Sequence, residues 1–369
     1  MIDASHLKGE EIAYPIYLLN RISHKTFGIT VDFSLHNFYN VENVEARMER
    51  IGVLTSGGDS PGMNPCIRAV VRAAIYKGLE VIGIRRGYMG LIENDIQIMD
   101  ASSVSGIIYR GGTVLKTARS KEFMEKEGQE KAVENIKKLG IQTLIVIGGD
   151  GSFRGARVLD EKWDIPTIGI PATIDNDIWG TDFTIGFLTA VDTALEAIDK
   201  IRDTATSHDR LFLVEVMGRT SGFIALWSGL AGGAEDILIP ELSTNLDEVC
   251  AKLDEGRERG KTSSIIIVAE GNKIGSAAEI ASRIRKKTGY EERVVVLGHL
   301  QRGGSPCLWD RILGIRLGAA AVDAAVKKKR NIMIGIVNGE IKISPLSDIS
   351  KKKKKINLDL YYLNRIMAT

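Results

Sequence analysis

Two loops in this 369-residue chain carry residue types suited to handling phosphate. Gly148-Gly149-Asp150-Gly151-Ser152 follows the apolar run Leu144 to Ile147, and Pro171-Ala172-Thr173-Ile174-Asp175-Asn176-Asp177 follows the run Thr167 to Ile170. Glycines at a strand end let backbone N–H groups approach an anion with no Cβ in the way, and a carboxylate beside them can hold the Mg2+ that phosphate groups carry. Asp175 and Asp177 can divide the labour, one accepting a hydroxyl proton as general base and the other organising the loop or its metal. That is a phosphoryl-transfer pattern. Taken singly, an acidic turn is also an ordinary cap, and the Gly148 loop occurs in several kinase classes, including lipid and NAD kinases.

Two further constellations add to it. Gly57-Gly58-Asp59-Ser60-Pro61-Gly62-Met63-Asn64 lies between a strand-like run and a helix-like one, where backbone amides and a helix N-terminus can cradle phosphate. It is neither the GxGxxG dinucleotide pattern nor the GxxxxGK[ST] loop. The other is scattered: Glu215-Val216-Met217-Gly218-Arg219, then Glu270, then Leu297-Gly298-His299-Leu300-Gln301-Arg302-Gly303-Gly304-Ser305-Pro306, closing on Asp310-Arg311. Arginine beside glycine at a strand end suits bidentate phosphate recognition. Each residue alone also has a plain reading, Arg219 as a surface ion pair, His299 as a satisfied core histidine, Glu270 as a strand-end cap.

The elements that must position these residues follow from the pattern. Strands are expected at Ile51 to Thr55, Val81 to Ile84, Leu144 to Ile147, Thr167 to Ile170, Leu211 to Val216, Ile265 to Ala269 and Val294 to Leu297. Helices are expected at Pro65 to Lys77, Gln129 to Leu139, Thr189 to Arg202, Leu246 to Arg259, Ala277 to Thr288 and Ile356 to Met367. Alternating strands and helices imply βαβ units, parallel sheets and ligands at the strands' carboxyl ends, where the glycine loops lie.

A length of 369 residues with 44% hydrophobic and 26% charged residues allows more than one core. The net charge of +2 gives no field to attract nucleic acid, so anion sites must be built locally. The three cysteines, Cys66, Cys250 and Cys307, have neither paired nor metal-like spacing and read as packing residues of a reducing compartment. No apolar run has the length of a membrane span; Gly222 to Ala234 is short, glycine-rich and interrupted by Ser228. Residues 1–46 show no clean period and no uninterrupted apolar segment of the signal-peptide kind. Lys351 to Lys355 reads as a solvated surface connection. A soluble cytoplasmic protein is expected, with no membrane or nucleic-acid partner.

From about Arg50 to about Ala325 the sequence resembles the bacterial type of the 6-phosphofructokinase family. The motifs that carry the resemblance are Ile51 to Asn64, Arg110-Gly111-Gly112-Thr113 with Ala118-Arg119, Gly148 to Ser152, Pro171 to Asp177, Gly180-Thr181-Asp182 with Gly186-Phe187, Glu215 to Arg219, and Leu297 to Arg311. The resemblance implies an α/β fold of two similar Rossmann-like three-layer domains with mostly parallel sheets. It places an ATP-binding larger domain at 48–186 plus 301–350 and a sugar-phosphate-binding smaller domain at 187–300 plus 351–369. It implies ATP-dependent phosphorylation of fructose 6-phosphate to the 1,6-bisphosphate with Mg2+, in a homotetramer whose active sites are shared between subunits.

Carried over motif by motif, Asp175 resembles the base and Asp150 the Mg2+-associated carboxylate. Gly58, Arg119, Ser120, Gly149, Asp150, Gly151 and Ser152 resemble the ATP/ADP site, with Arg119 placed to stabilise the transferring phosphoryl group. Thr173, Ile174, Asp175, Met217, Gly218, Arg219, Glu270, His299 and Arg302 resemble the sugar-phosphate site, Thr173 and Arg219 also counting as catalytic. Arg210 and Arg293 match arginines that reach the 6-phosphate from a neighbouring subunit. Arg68, Arg72, Arg202, Glu235, Arg259 and Lys261 match an effector site for ADP or phosphoenolpyruvate. Ala101 stands where an arginine is common in the family and Gly106 where an aspartate is, which puts allosteric control in doubt. Residues 1–47 have no counterpart, and Met48-Glu49-Arg50-Ile51 looks like the usual family start, so the extension is an addition or a start placed too early. Two alternatives remain at this level. A pyrophosphate-dependent relative typically carries Asp and Lys where this chain has Gly151 and Ala172, and a non-catalytic homologue is opposed by the presence of Asp150, Asp175, Arg119 and Arg219.

Overall fold

Near-continuous buried runs of β-branched and aliphatic residues build most of the strands, because such side chains pack well on a pleated surface covered on both faces. In chain order the strands are β1 (Arg50–Ser56), β2 (Glu80–Ile84), β3 (Ile96–Met99), β4 (Ile141–Gly148), β5 (Thr167–Pro171), β6 (Leu211–Val216), β7 (Asp236–Leu238), β8 (Ser264–Ala269), β9 (Glu292–Val296), β10 (Ile332–Val337) and β11 (Glu340–Pro345). The helices are α1 (Met63–Tyr76), α2 (Gly87–Glu93), α3 (Lys126–Lys138), α4 (Asp150–Trp163), α5 (Phe187–His208), α6 (Phe223–Ala231), α7 (Leu246–Glu258), α8 (Ala277–Thr288), α9 (Leu308–Val326), α10 (Leu346–Ile349) and α11 (Leu358–Met367). The structure, a computed structural model, describes residues 49–208, 210–349 and 351–368. The expectation for residues 1–47 lies outside them.

Two sheets result. The larger has the order β11-β10-β5-β4-β1-β2-β3, with β10, β5, β4, β1 and β2 parallel and an antiparallel strand at each edge. The smaller, β7-β8-β6-β9, is parallel throughout. Alternation sends Ile51, Val53, Ile145, Ile147, Ile168 and Ile170 into a core shared with α1 and α9, and Leu54, Leu144 and Val146 into one on the opposite face shared with α3 and α4. In the smaller sheet Phe212, Val214, Ile265 and Ile267 face α5 and α6, while Leu211, Leu213, Ile266 and Val268 face α7 and α8. Each sheet is thus the middle of three layers, the expected α/β class.

Each sheet also has a strand pair from which the chain departs in opposite directions. β1 leads through α1 to β2 on one side, while β4 lies on its other side; β6 lies between β8 and β9. Such switch points open a crevice at the carboxyl edge. The loops of interest, Ser56–Gly58 and Gly148–Asp150 on one sheet and Val216–Arg219, Ala269–Glu270 and Leu297–His299 on the other, all sit there.

Several elements differ from the sequence reading. The apolar segment Gly222 to Ala234 is mostly α6, buried because it packs between the smaller sheet and α11. Among the described residues no helix is long and apolar enough to cross a membrane. Cys66 and Cys250 are buried and Cys307 is half-buried, all free thiols; burial pushes the Cys66 thiol well up. The lysine run needs correction. Lys354 is not solvated surface: it is half-buried, its Nζ donates to the Asp182 carbonyl at 2.6 Å and lies 5.0 Å from the Phe223 ring centroid. Four like charges beside it disguise that role.

Candidate active site

At the carboxyl edge of the larger sheet the glycine loops are held by close backbone contacts. A Cβ on Gly148 would come within 2.4 Å of the Ser56 carbonyl oxygen, so only glycine lets the β1 and β4 ends lie this close. Gly149 precedes α4 in extended conformation, which puts Asp150 at the first helical position and the Gly149–Gly151 amides at a helix N-terminus, a natural anion site, while the Ser152 amide donates to the Gly149 carbonyl at 3.0 Å. Ser152 is buried with its Oγ unpartnered, while its carbonyl accepts from the Tyr88 hydroxyl at 2.5 Å. Thr117 Oγ1 donates to the Gly57 carbonyl at 2.7 Å, fastening the segment that carries exposed Arg119 to the Gly57–Gly58 turn. Ser120 Oγ accepts from the Phe123 amide at 3.1 Å and so closes the next turn.

The acidic turn follows β5. Asp175 N donates to Thr173 Oγ1 at 3.3 Å, and Thr173 accepts at its carbonyl from Thr184 Oγ1 at 2.6 Å. Asn176, in the left-handed conformation with φ 51°, is buried; its Oδ1 accepts from Thr184 N at 3.0 Å and its Nδ2 donates to the Asp182 carbonyl at 3.3 Å. This closes residues 173–184 into one loop around an asparagine. Asp175 emerges from it only 8% exposed, with Oδ1 lacking any partner. Burial, reinforced by the charge of Asp177 and partly offset by Arg302, pushes its carboxyl up to about 6. Asp177 is also raised, chiefly by burial, with Asp150 adding to the shift and Arg219 and Lys354 opposing it. A desolvated carboxylate with a free lone pair and a pKa near working pH is the form a general base takes.

The carboxyl edge of the smaller sheet faces this turn. Ser221 Oγ donates to the Asp175 carbonyl at 2.8 Å, and Ser221 N closes a turn on the Gly218 carbonyl at 2.8 Å. Arg219, with φ 56°, donates its amide to Glu270 Oε1 at 2.7 Å, and both Arg219 and Glu270 act electrostatically on Asp175. Buried Met217 donates its amide to Gln301 Oε1 at 3.3 Å, and fully buried Gln301 donates to the Gly298 carbonyl at 3.2 Å. His299 and Arg302 lie on the same 3-10 turn, Gly298–Arg302, His299 exposed. Arg302 Nη1 reaches the Asp59 carbonyl at 3.3 Å, so the arginine from the sugar-phosphate set touches the turn from the ATP set. Ile174 is buried and packs in the core of the smaller sheet.

Gly58, Asp150, Thr173, Asp175, Met217, Gly218, Arg219, Glu270, His299 and Arg302 therefore lie along two facing strand edges. Arg210 and Arg293 do not join them. They sit at the amino ends of β6 and β9, both near Glu291 at 4.0 and 3.7 Å. Of the effector set, Glu235 pairs with Lys261 at 2.8 Å, and with Arg259 these residues line a cleft of about 460 Å³; Arg202 Nη2 donates nearby to the Gly233 carbonyl at 2.8 Å. Arg68 and Arg72 are elsewhere, on α1 against the larger sheet. Asn176, Ser221, Gln301 and Lys354 were not separable from sequence as site-supporting residues, since each acts through the backbone of another.

The donors suit Mg2+. Asp150 and Asp177 are near enough to interact electrostatically, and among the described residues no three His, Cys, Asp or Glu side chains form a protein-only cage. One or two carboxylates completed by substrate phosphates is how this ion is commonly held. Here Asp150 Oδ2 accepts from Arg154 Nε at 3.1 Å, one helical turn on.

The phosphofructokinase family model matches residues 50–325. The chain belongs to the phosphofructokinase family. It is 57% identical to the ATP-dependent 6-phosphofructokinase of Halalkalibacterium halodurans, over 87% of this chain and 100% of that protein. Among solved structures, phosphofructokinase from Saccharomyces cerevisiae matches at 35% identity with TM-score 0.79, covering 82% of this chain and 45% of that one. Pyrophosphate-dependent phosphofructokinase from Marinobacter aquaeolei matches at 25% identity with TM-score 0.75, covering 85% and 86%. The match to the family thus spans both facing strand edges.

Proposed function

We propose that this chain phosphorylates fructose 6-phosphate to fructose 1,6-bisphosphate with ATP, as a cytoplasmic glycolytic kinase. The observation that carries the reading is Asp175, a buried carboxylate with an unpartnered oxygen between the two strand edges. The full-length match to ATP-dependent relatives supports the same substrates.

In this mechanism Asp175 accepts the proton of the sugar 1-hydroxyl as that oxygen attacks the γ-phosphorus in line, the bond from phosphorus to the β,γ-bridging oxygen breaks and ADP leaves with that oxygen. Its raised pKa keeps it basic enough to take the proton near neutral pH while still ionised there. The Gly149–Gly151 amides, the Ser152 hydroxyl and Gly58 cradle the ATP phosphates, Ser120 lies along the nucleotide, and Arg119 balances charge gathering on the transferred group. Asp150 would hold Mg2+, which when bound neutralises phosphate charge and orients the donor. Thr173 fixes the turn, while Met217, Gly218, Arg219, Glu270, His299 and Arg302 bind the sugar. Positioning and electrostatics suffice, because phosphoryl transfer needs no covalent nucleophile. The larger domain, 48–186 with 301–350, takes ATP, and the smaller, 187–300 with 351–369, the sugar. Arg210 and Arg293 serve a neighbouring subunit's site in a homotetramer. An ADP or phosphoenolpyruvate site formed by Arg202, Glu235, Arg259 and Lys261 with Arg68 and Arg72 of another subunit would lack the charges missing at Ala101 and Gly106.

The donor is ATP rather than pyrophosphate. No atom lies within 4 Å of a Cβ built on Gly151, so the space beside the phosphate loop is open for the α-phosphate and nucleoside, whereas an aspartate would repel them. A coupled assay with the two donors at equal Mg2+ tests this. ATP turnover well above pyrophosphate turnover is expected, and Gly151→Asp should fold yet lose ATP use. Faster turnover with pyrophosphate overturns the assignment.

A further inference from the structure

Lys354 belongs to the lysine-rich connection between α10 and α11, far in sequence from the acidic turn, yet it ends against that turn. Its Nζ donates at 2.6 Å to the Asp182 carbonyl, the same oxygen that receives the Asn176 amide at 3.3 Å. Asn176 stands between Asp175 and Asp177, so one carbonyl couples the lysine to both carboxylates' backbone. The Asp182 carboxylate accepts from the Asn338 amide at 2.7 Å. Lys352 braces the same loop from outside, 4.2 Å from the Trp179 ring centroid and tied to Asp348 at 2.9 Å.

Such an arrangement is costly for a mere connection. Burying an ammonium sacrifices hydration, and burial pushes Lys354 down to about 8 despite the opposing charges of Asp182 and Asp177. Lys351, Lys352, Lys353 and Lys355 remain exposed. A single lysine of five is therefore drawn inward, and what it meets is a carbonyl, two carboxylates' fields and the Phe223 ring at 5.0 Å. A charge-assisted bond to a carbonyl is stronger than a neutral one, and it holds its acceptor in one place.

We propose that Lys354 is a positioning residue for phosphoryl transfer, its ammonium fixing the 173–184 loop through the Asp182 carbonyl so that Asp175 and Asp177 keep their places. The assignment rests on the function proposed above. The Lys354 Nζ is hydrogen-bonded to the backbone of the loop, so its loss acts on the reacting geometry rather than on ground-state binding. Kinetically that is a fall in kcat with little change in KM.

The test uses the full chain carrying Lys354→Met or Lys354→Arg, with exposed Lys353→Met as control. Lys354→Met should lower kcat about 10-fold with KM for fructose 6-phosphate and ATP within about 3-fold, and Lys354→Arg, which keeps a charged donor, should restore most of it. Hydrogen exchange of the 173–184 amides should quicken in Lys354→Met and not in Lys353→Met, a readout independent of turnover. If Lys354→Met does not fold, Lys354→Gln replaces it. Unchanged exchange in that loop overturns the proposal, as does unchanged kcat, or an equal loss in Lys354→Arg, when the wild type is active. A wild-type chain inactive with both substrates sinks the function reading instead, and the exchange result still decides the role of Lys354.

Discussion

The guanidinium of Arg302 occupies the space that a side chain at residue 58 would fill: a Cβ built on Gly58 would come within 2.2 Å of Arg302 Nη1. The contact links the two facing edges, one from the turn after β1 and the other from the turn after β9. Because the clashing atom ends a flexible side chain, alanine at 58 displaces the arginine and not the backbone. Gly58→Ala should therefore melt within a few degrees of wild type while raising KM for fructose 6-phosphate by roughly 10-fold, the loss of a charge-assisted phosphate contact. If only KM for ATP rises, the Gly58–Arg302 contact does not govern sugar binding.

Asp175 sets both a pH limit and a stability cost. In the proposed role as base Asp175 must be ionised, so kcat/KM should fall as pH drops through about 6. For stability the sign is opposite to that of a paired carboxylate. The folded pKa lies above the ordinary 3.8, so between about pH 4 and 6 the native state holds more proton than the unfolded one. Stability from this group is thus present at low pH and lost as pH rises. Asp175→Asn should abolish turnover yet raise Tm at pH 8, by the equivalent of roughly 1–3 kcal/mol, with the gain shrinking toward pH 5. A variant no more stable than wild type at pH 8 would show that Asp175 is not strained by burial.

The carboxyl-edge loops and the alternating elements were readable because short apolar runs, glycine placement and charged turns are local signals. α4 escaped notice since its first residues, Asp150 to Ser152, read as loop, although a glycine turn feeding a helix is one anion cradle. β10 and β11 lie beyond the motifs, and their pairing with β5 and each other depends on the finished sheet. Lys354 was hidden for a different reason. Within five identical charges no local pattern distinguishes the one whose neighbour in space is the Asp182 carbonyl. Gln301 and Ser221 likewise work by holding the backbone of Met217 and Asp175, a relation visible only once distant segments meet.

Asp310 ties α9 to the start of α5. Fully buried, it accepts from the Gly186 amide at 2.8 Å, the Thr189 amide at 2.8 Å and Thr189 Oγ1 at 2.6 Å. Its loss strands three donors at a buried helix N-terminus. Asp310→Ala should cost about 2–4 kcal/mol in denaturant unfolding, and Asp310→Asn, which retains an acceptor, distinctly less. Equal losses would mean that charge and not the acceptor geometry is what α5 requires.

Arg210 and Arg293 lie at the amino ends of β6 and β9, whereas Met217 to Arg219 follow the carboxyl end of β6. Six residues of strand separate the two edges by about 17–20 Å, beyond an arginine's reach. Within one chain these arginines cannot serve the site that contains Asp175, so any role in sugar-phosphate binding requires a neighbouring subunit. Arg293→Ala should raise KM for fructose 6-phosphate by roughly 10–100-fold, as expected for a lost charged phosphate partner, while Asp175→Asn is inactive at any substrate level. Mixed oligomers of the two variants would contain some sites with an intact base and an intact neighbouring arginine. Those hybrids should recover activity at low substrate in proportion to such sites. Confirmed hybrids showing no recovery would remove Arg293 from the shared-site assignment.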